Sequence, residues 1–404
     1  MNEATWKFVR QHGDNDVRKL ALRGTKDSEV DLRLALQQIE GRQMARRKLP
    51  TWALTEGILY PPHLSMEQCS SEQTARYKAS VCKRLLTPFG NSSTLVDLTG
   101  GFGVDFYFMA QVFHSPSIYV EQNADLCAIA EHNFQLLGLT CTVRCGLATS
   151  ILPELPRATV IFLDPARRDD HGGRTYGIAD CTPNVLKMKE ELLEKADFIV
   201  LKLSPMLDWR KAVQDLGAQY VEEVHIVSVQ NECKELLLVM SARHAEQGKN
   251  ESRRVYCVND NDIFTFYDST SSPSPALHST QPFFLYEPHA SIMKAGCFAE
   301  VATAYQVTAL APNSHLFISD RVVPDFPGRK FQISSISSMN KQELKAALKD
   351  IRQANITVRN FPLSVAELRR KLHLADGGND YIFATTLADD RHVLIICQKL
   401  NINH

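Results

Sequence analysis

Three carboxylates in this 404-residue chain stand where short apolar runs end, and together they would suit a bound nucleotide-like molecule. The first, Asp97, closes Leu95-Val96-Asp97 and opens a glycine-rich turn, Leu98-Thr99-Gly100-Gly101-Phe102-Gly103-Val104-Asp105. Leu95, Val96 and Leu98 suit a buried parallel strand, and Gly100, Gly101 and Gly103 let the backbone approach a ligand closely. The second, Glu121, ends Ser117-Ile118-Tyr119-Val120-Glu121, 24 positions after Asp97. In doubly wound folds an acid about 20 residues past the glycine turn accepts hydrogen bonds from ribose hydroxyls. Glu121 equally suits the N-terminus of the helix that follows, where negative charge is favoured. The third, Asp164, ends the run Val160 to Leu163 and precedes Pro165-Ala166-Arg167-Arg168. Proline cannot continue a ladder, so the chain leaves the sheet there. Ligands of open parallel sheets bind outside the carboxyl ends of the strands, which puts Asp164 beside Asp97 and Glu121.

The elements that must hold these residues alternate between strand and helix. Val104 to Phe113 reads as a helix, and so does Asn123 to Leu137, with Leu126, Ile129, Ala130 and Phe134 in phase and Gly138 as its stop. Further strands are expected at Cys141–Arg144, Thr159–Leu163 and Ala196–Lys202. Val221–Val229 and Glu235–Ser241 leave no room for a helix between them and are expected to pair antiparallel. Lys202, at a strand end, either reaches phosphate or substrate or extends its charge to solvent from the sheet edge. Ahead of the sheet, residues 1–88 read as helical, with a basic run at Arg42 to Lys48 and a loop containing Pro61-Pro62. Ser70-x-x-Gln73 is a capping box for a helix through Leu86 with Tyr77, Val81 and Leu85 inward. This helix either packs on the sheet or covers the ligand as a lid.

Beyond the sheet, Arg253 to Asp268 reads as a hairpin and Ser269 to Ser279 as a Ser/Pro-rich linker. A strand at Phe283 to Pro288 and two short helices, Ala290–Ala295 and Phe298–Tyr305, follow. Residues 329–398 read β-α-β-α-β-β. Capping boxes start its helices at Asn340-x-x-Glu343 and Ser364-x-x-Glu367, and Asp376-Gly377-Gly378-Asn379 reads as a turn. The expected boundaries are 1–88 for a helical region, 89–245 for the α/β domain, 246–328 for a connecting β/α region and 329–404 for an α+β domain.

Length favours two or three domains, and 44% hydrophobic with 23% charged residues is ordinary for a water-soluble globular protein. No run of 18 apolar residues and no leader at Met1 is present, so neither a membrane span nor secretion is expected. The ten cysteines form no CxxC pairs, which points to reduced thiols in a cytoplasmic protein and to no metal site. The net charge of −1 hides a split. Residues 1–50 carry 11 Lys+Arg against 7 Asp+Glu, and residues 329–404 carry 12 against 7. Basic ends around an acidic middle permit a nucleic-acid partner.

The run from Asp97 to Gly103 resembles motif I of the class I S-adenosylmethionine-dependent methyltransferases, [DE]-x-x-x-G-x-G. Asp164-Pro165-Ala166-Arg167 is similar to motif IV of nucleic-acid methyltransferases. It departs by Ala166 for the second proline and Arg167 for the stacking aromatic. An arginine can stack on a base or pair with phosphate, so nucleic-acid chemistry survives, but methylation of an exocyclic amine is not specifically indicated. Arg167 and Arg168 also suit a solvated basic loop. From about residue 60 onward the chain resembles bacterial class I methyltransferases with a C-terminal THUMP-like domain. The marks are Pro61 to Ser65, Ser71 to Lys78, Asp97 to Asp105, Asp164 to Arg168, Tyr286-Glu287-Pro288 and Asp376 to Thr385.

The resemblance implies a Rossmann-like α/β sheet of parallel strands with an antiparallel terminal hairpin, flanked by the helical region and the α+β THUMP-like domain. It implies S-adenosylmethionine held by Asp97, Thr99, Gly100, Gly101, Gly103, Asp105, Glu121 and Asp164. Asp164, Pro165, Arg167 and Arg168 would serve the acceptor, expected to be a base in RNA, with tRNA favoured. No acid follows the third strand in Cys145-Gly146-Leu147-Ala148, so the adenine contacts are not identified. Three other readings are open: a small-molecule or protein methyltransferase, a non-catalytic RNA-binding protein, and, least favoured by the glycine spacing, a nicotinamide oxidoreductase.

Overall fold

A computed structural model of the chain describes residues 1–89, 93–167, 177–243, 253–268 and 283–400. The chain divides into two compact units, residues 1–224 with 235–251 and residues 225–234 with 252–404.

The first unit begins with helices whose first turns are closed by side chains. In α1 (Glu3–His12), α2 (Val17–Arg23) and α3 (Leu32–Lys48) the caps are Asn2, Asp16 and Asp31, each accepting a first-turn amide. Helices α4 (Pro50–Leu54), α5 (His63–Gln68) and α6 (Glu72–Leu85) follow. The cap of α6 is Ser71, which accepts the Thr74 amide, and not Ser70 as the sequence pattern suggests. The Ser70 hydroxyl is engaged elsewhere, donating to Asp105 Oδ2 at 2.7 Å.

The sheet elements of this unit are β1 (Leu95–Asp97), α7 (Val104–Ala110), β2 (Ser117–Glu121), α8 (Ala124–Leu136), β3 (Cys141–Cys145), α9 (Ala148–Ile151) and β4 (Ala158–Leu163). After them come β5 (Ala166–Arg167), β6 (Cys181–Thr182), α10 (Val185–Lys195), β7 (Ala196–Leu203), α11 (Trp209–Leu216), β8 (Val221–Val229) and β9 (Glu232–Met240), residues 225–234 of the last two belonging to the second unit. Over these elements the strand order is β8-β9-β7-β4-β1-β2-β3, part of a nine-stranded sheet. The five strands from β3 to β7 run parallel, and β9 inserts antiparallel beside β7. This is the expected Rossmann-like sheet with its terminal hairpin. The chain order reverses between β1 and β4, and it is at such a point, in the crevice outside the carboxyl ends of the strands, that doubly wound sheets bind their ligands. Leu95, Phe106, Phe162, Val200 and Val239 fill the core on one side, together with Trp52, Ala75 and Cys82 from the helical region. β5 and β6 form a separate two-stranded ladder just past Asp164-Pro165.

The second unit holds the hairpin of β10 (Arg253–Asn259) and β11 (Asp262–Asp268). After it come β12 (Phe284–Pro288), α12 (Ala290–Ala295), α13 (Phe298–Tyr305), β13 (Thr308–Ala309) and β14 (Phe317–Ser319). The C-terminal elements are β15 (Gly328–Ser338), α14 (Lys341–Ala347), β16 (Gln353–Arg359), α15 (Val365–Leu372), β17 (Ala375–Thr386) and β18 (His392–Lys399). Strands β12 to β18 form one sheet, β13-β14-β12-β15-β18-β17-β16. Glu287 of β12 takes hydrogen bonds from Arg329 Nε of β15 at 2.6 Å and Arg359 of β16 at 2.9 Å. Since β12 and β16 are not neighbours in the sheet, it must curl to close this pair, around Leu285, Phe331, Phe383 and Ile395.

Asp376 to Asn379 does not turn the chain. It lies within β17, where Asp376 pairs with Ala354 and Tyr381 with Asn355, and the residues between bulge out. Gly377 and Gly378, at φ +94° and +83°, absorb that bulge, so the strand continues. The capping box at Ser364 is complete, whereas Glu343 accepts the Ser338 amide rather than that of Asn340. The Ser269–Ser279 linker lies outside the described residues. No described helix is long and apolar enough to cross a membrane.

Candidate active site

Asp97 ends β1 between β2 and β4, at the crevice. Its Oδ1 accepts the Thr99 amide at 2.9 Å. Its Oδ2 has no hydrogen-bond partner among the described residues, although the side chain is only 1% exposed. Burial pushes this carboxyl well above the usual range, and the neighbouring charges of Asp105, Asp164 and Glu121 push the same way.

The turn above it is folded by its own amides. Gly100 N–H donates to the Val120 carbonyl at 2.8 Å, and Gly101 N–H donates to Glu121 Oε2 at 2.9 Å. A Cβ on Gly100 would lie 2.0 Å from the Tyr119 ring, and one on Gly103, at φ +86°, 2.6 Å from Phe134. A Cβ on Gly101, at φ +55°, would meet only the Thr99 carbonyl oxygen at 3.9 Å, an ordinary contact, so this part of the turn is the least crowded. Glu121 Oε1 accepts the Asn123 amide at 2.8 Å. The α8 cap is Asn123 itself, which leaves Glu121 tied to the glycine turn instead of the helix.

Thr99 joins the first acid to the third, because its Oγ1 accepts the Asp164 amide at 2.6 Å. Asp97, Thr99, Glu121 and Asp164 are therefore brought together. Asp105 opens α7 and comes in below them. Arg168 lies outside the described residues, as does the side chain of Arg167, whose backbone pairs with Cys181 in β5. Past β3, Gly146 N–H donates to the Glu121 carbonyl at 2.9 Å and Leu147 is half exposed.

Sequence reasoning missed one cation of this site, Lys78, and one acid, Glu235, and left Lys202 between two readings. Lys78 of α6 is fully buried, 2.6 Å from Glu235 Oε2 and 3.1 Å from Asp105 Oδ1. Lys202 of β7 is paired directly with Asp164 Oδ2 and stands 3.8 Å from Asp105. Its side chain is only 12% exposed and turned to these carboxylates, so it does not extend its charge to solvent from the sheet edge. Burial alone would raise Asp105, but Lys78, Lys202 and the Ser70 hydroxyl outweigh it and hold the carboxyl below its usual range. At Glu235 burial wins over the two lysines, and the carboxyl is raised. Burial works against the Lys202 charge, yet Asp164, Asp105 and Glu235 raise its pKa above the ordinary lysine value. A signal for Lys78 was present, since it shares the buried stripe of Ala75, Ala79 and Cys82 on a helix.

Asp97, Asp105, Glu121, Asp164 and Glu235 outnumber Lys78 and Lys202 in this cluster. Burial biases Asp97 and Glu235 towards the neutral form, so the excess is of three carboxyl groups over two ammonium groups, which still favours a ligand that carries positive charge.

Among known families, one described as THUMP domain-like matches residues 328–399 and one described as a ferredoxin-like domain matches residues 284–327. No curated protein matches the chain. A solved structure from Porphyromonas gingivalis W83, described as a methyltransferase, is 32% identical. The match covers 98% of both chains with a TM-score of 0.84. A class I S-adenosylmethionine-dependent methyltransferase from Listeria monocytogenes matches at 10% identity over 59% of this chain and 88% of its own, with a TM-score of 0.38. An RNA methyltransferase from Pyrococcus horikoshii matches at 12% identity over 49% and 96%, with a TM-score of 0.34. With its Rossmann-like sheet, its THUMP-like C-terminus and a full-length relative at this identity, the chain belongs to the class I S-adenosylmethionine-dependent methyltransferases that carry a C-terminal THUMP-like domain.

Proposed function

We propose that this methyltransferase uses S-adenosylmethionine to methylate a base in RNA, with tRNA the favoured substrate. The observation that carries the cofactor reading is the buried Asp97 oxygen, without a partner among the described residues, next to a glycine turn that is least crowded at Gly101. S-Adenosylmethionine bears a sulfonium and an ammonium group, which suit a cluster where carboxylates are in excess. Asp97, Thr99, Asp105, Glu121, Asp164 and the backbone of Gly100, Gly101 and Gly103 would hold it. Glu121, at the end of the second strand, is the candidate for the ribose hydroxyls.

When bound, the cofactor supplies an electrophilic methyl group. The work of the chain is then to position the acceptor and to exclude water. Asp164 and the Pro165 carbonyl accept hydrogen bonds from the acceptor and aim it, and Asp164 is placed to take a proton from a nitrogen acceptor. Arg167 and Arg168 anchor the base or a phosphate. A base within a duplex has to be flipped out to reach the site. The basic excess of residues 329–404 supports a polyanionic substrate. All ten cysteines are free thiols, which supports a reducing compartment and hence the cytoplasm.

The test is calorimetric titration with S-adenosylhomocysteine of the full chain and of Asp97→Ala and Glu121→Ala. Micromolar binding lost in both variants supports the cofactor site, and no binding by the wild type overturns it. Labelled methyl transfer to RNA from a strain lacking the gene then decides the substrate. Transfer to protein or small molecules with none to RNA refutes that part.

A further inference from the structure

We propose that Lys202 is a positioning residue that holds the Asp164 carboxylate as a hydrogen-bond acceptor at the mouth of the site, and is itself held from α6 through Asp105 and Lys78. The inference rests on the reading of Asp164 as the group that orients the acceptor.

Charges alternate along a continuous path. Glu235 and Lys78 are 2.6 Å apart, Lys78 and Asp105 3.1 Å, Asp105 and Lys202 3.8 Å, and Lys202 contacts Asp164. Five different segments supply these residues: β9, α6, α7, β7 and the residue following β4. Ser70 strengthens the middle, donating to Asp105 and accepting from Lys78 at 3.2 Å. Lys78 and Glu235 at the inner end are closed to solvent, and Asp105 and Lys202 keep only 11% and 12% of their side chains exposed. Asp164, at the outer end, keeps about a third of its side chain exposed (37%), and this is the end an acceptor can reach.

Like charges make the hold necessary. Asp97 and Asp105 stand near Asp164, and without the Lys202 ammonium the least costly response is for the part-exposed Asp164 side chain to swing into solvent. A carboxylate that has swung out no longer presents its lone pairs to the acceptor, so the orientation is lost. Asp105 keeps Lys202 from following Asp164 outward, and Lys78 and Ser70 keep Asp105 in place.

Carboxyl NMR of the full chain with carbon-13-labelled aspartate, at one fixed pH, tests this, the Asp164 signal being assigned by its loss in Asp164→Asn. The Asp164 carboxyl signal is expected to move in Lys202→Met, as its ammonium partner is lost, and to return towards the wild-type position in Lys202→Arg. A merely structural lysine would lower stability and leave the signal where it was, and that result overturns the proposal. If Lys202→Met does not fold, the pair is read from the other side. The Lys202 side-chain carbon signal should move in Asp164→Asn, and no change there overturns the proposal. Methylation assays on RNA should show kcat falling about tenfold or more in Lys202→Met with S-adenosylhomocysteine affinity little changed. A wild type that methylates no RNA refutes the proposed function, while the carboxyl signal still decides the role of Lys202.

Discussion

Lys78 Nζ lies 2.6 Å from Glu235 Oε2, joining helix α6 to strand β9 across 157 positions of sequence with both side chains closed to solvent. Desolvating two charges costs much of what their attraction returns, so losing one is worse than losing both. Lys78→Met is therefore expected to cost about 3–5 kcal/mol of stability, with Lys78→Met/Glu235→Leu recovering the part owed to Glu235 and not the part owed to Asp105, which also loses its lysine at 3.1 Å. Urea unfolding of the two variants checks this, and equal losses in both would show that the pair is not coupled.

The glycines of the turn are expected to separate into two kinds. Gly100→Ala pushes a methyl group into the Tyr119 ring and should cost about 1–3 kcal/mol or more. Gly101→Ala meets only the Thr99 carbonyl oxygen, at 3.9 Å, and should cost little beyond the strain of its φ of +55°, about 1–2 kcal/mol. Its larger effect should be on S-adenosylhomocysteine affinity, because the added methyl projects from the turn proposed to meet the cofactor. Melting and calorimetry on both variants distinguish them; a Gly101→Ala chain that binds normally would move the ligand elsewhere.

Asp97 makes a pH-dependent contribution of known sign. Burial raises its carboxyl in the folded chain, so the folded state keeps a proton that the unfolded state has released. Stability from this group falls as pH rises from about 4 through the raised folded value, and the whole cost stands above it. Asp97→Asn should therefore be more stable than wild type at pH 8, by about 1–3 kcal/mol, with the gap closing towards pH 4. The same variant should lose cofactor affinity. Thermal melts from pH 4 to 8 measure the gap, and one that stays constant with pH would contradict the assignment.

Arg370 and Lys371 are exposed in the last turn of α15, away from the Glu287 clasp. If this face meets RNA phosphates, replacing both by alanine should reduce the slope of log affinity against log salt by about 1.4–1.8. Stability should change by less than about 0.5 kcal/mol. Filter binding across a salt series reads the slope, and an unchanged value would place the RNA on another surface.

Much of the first unit was legible because its signals are local. Leu95 to Asp97 and Val160 to Leu163 are apolar runs that end at an acid, and glycine or proline stops each one sharply. Ser70 was misread as a cap because the pattern Ser-x-x-Gln cannot show that its hydroxyl already serves Asp105. Asp376 to Asn379 was misread as a turn because two glycines look the same in a turn and in a bulge, and only pairing with β16 and β18 tells them apart.

By itself the sequence determined which carboxylates stand at strand ends and where the glycine turn falls, since backbone sterics and hydrophobic period act over a few residues. Only the tertiary structure decided which charges meet. Lys202 finds Asp164 across 38 positions, Arg359 finds Glu287 across 72, and Lys78 finds Glu235 across 157. The reason is physical: a buried charge takes the nearest counter-charge in space, and chain connectivity carries no record of that distance until the sheet has formed.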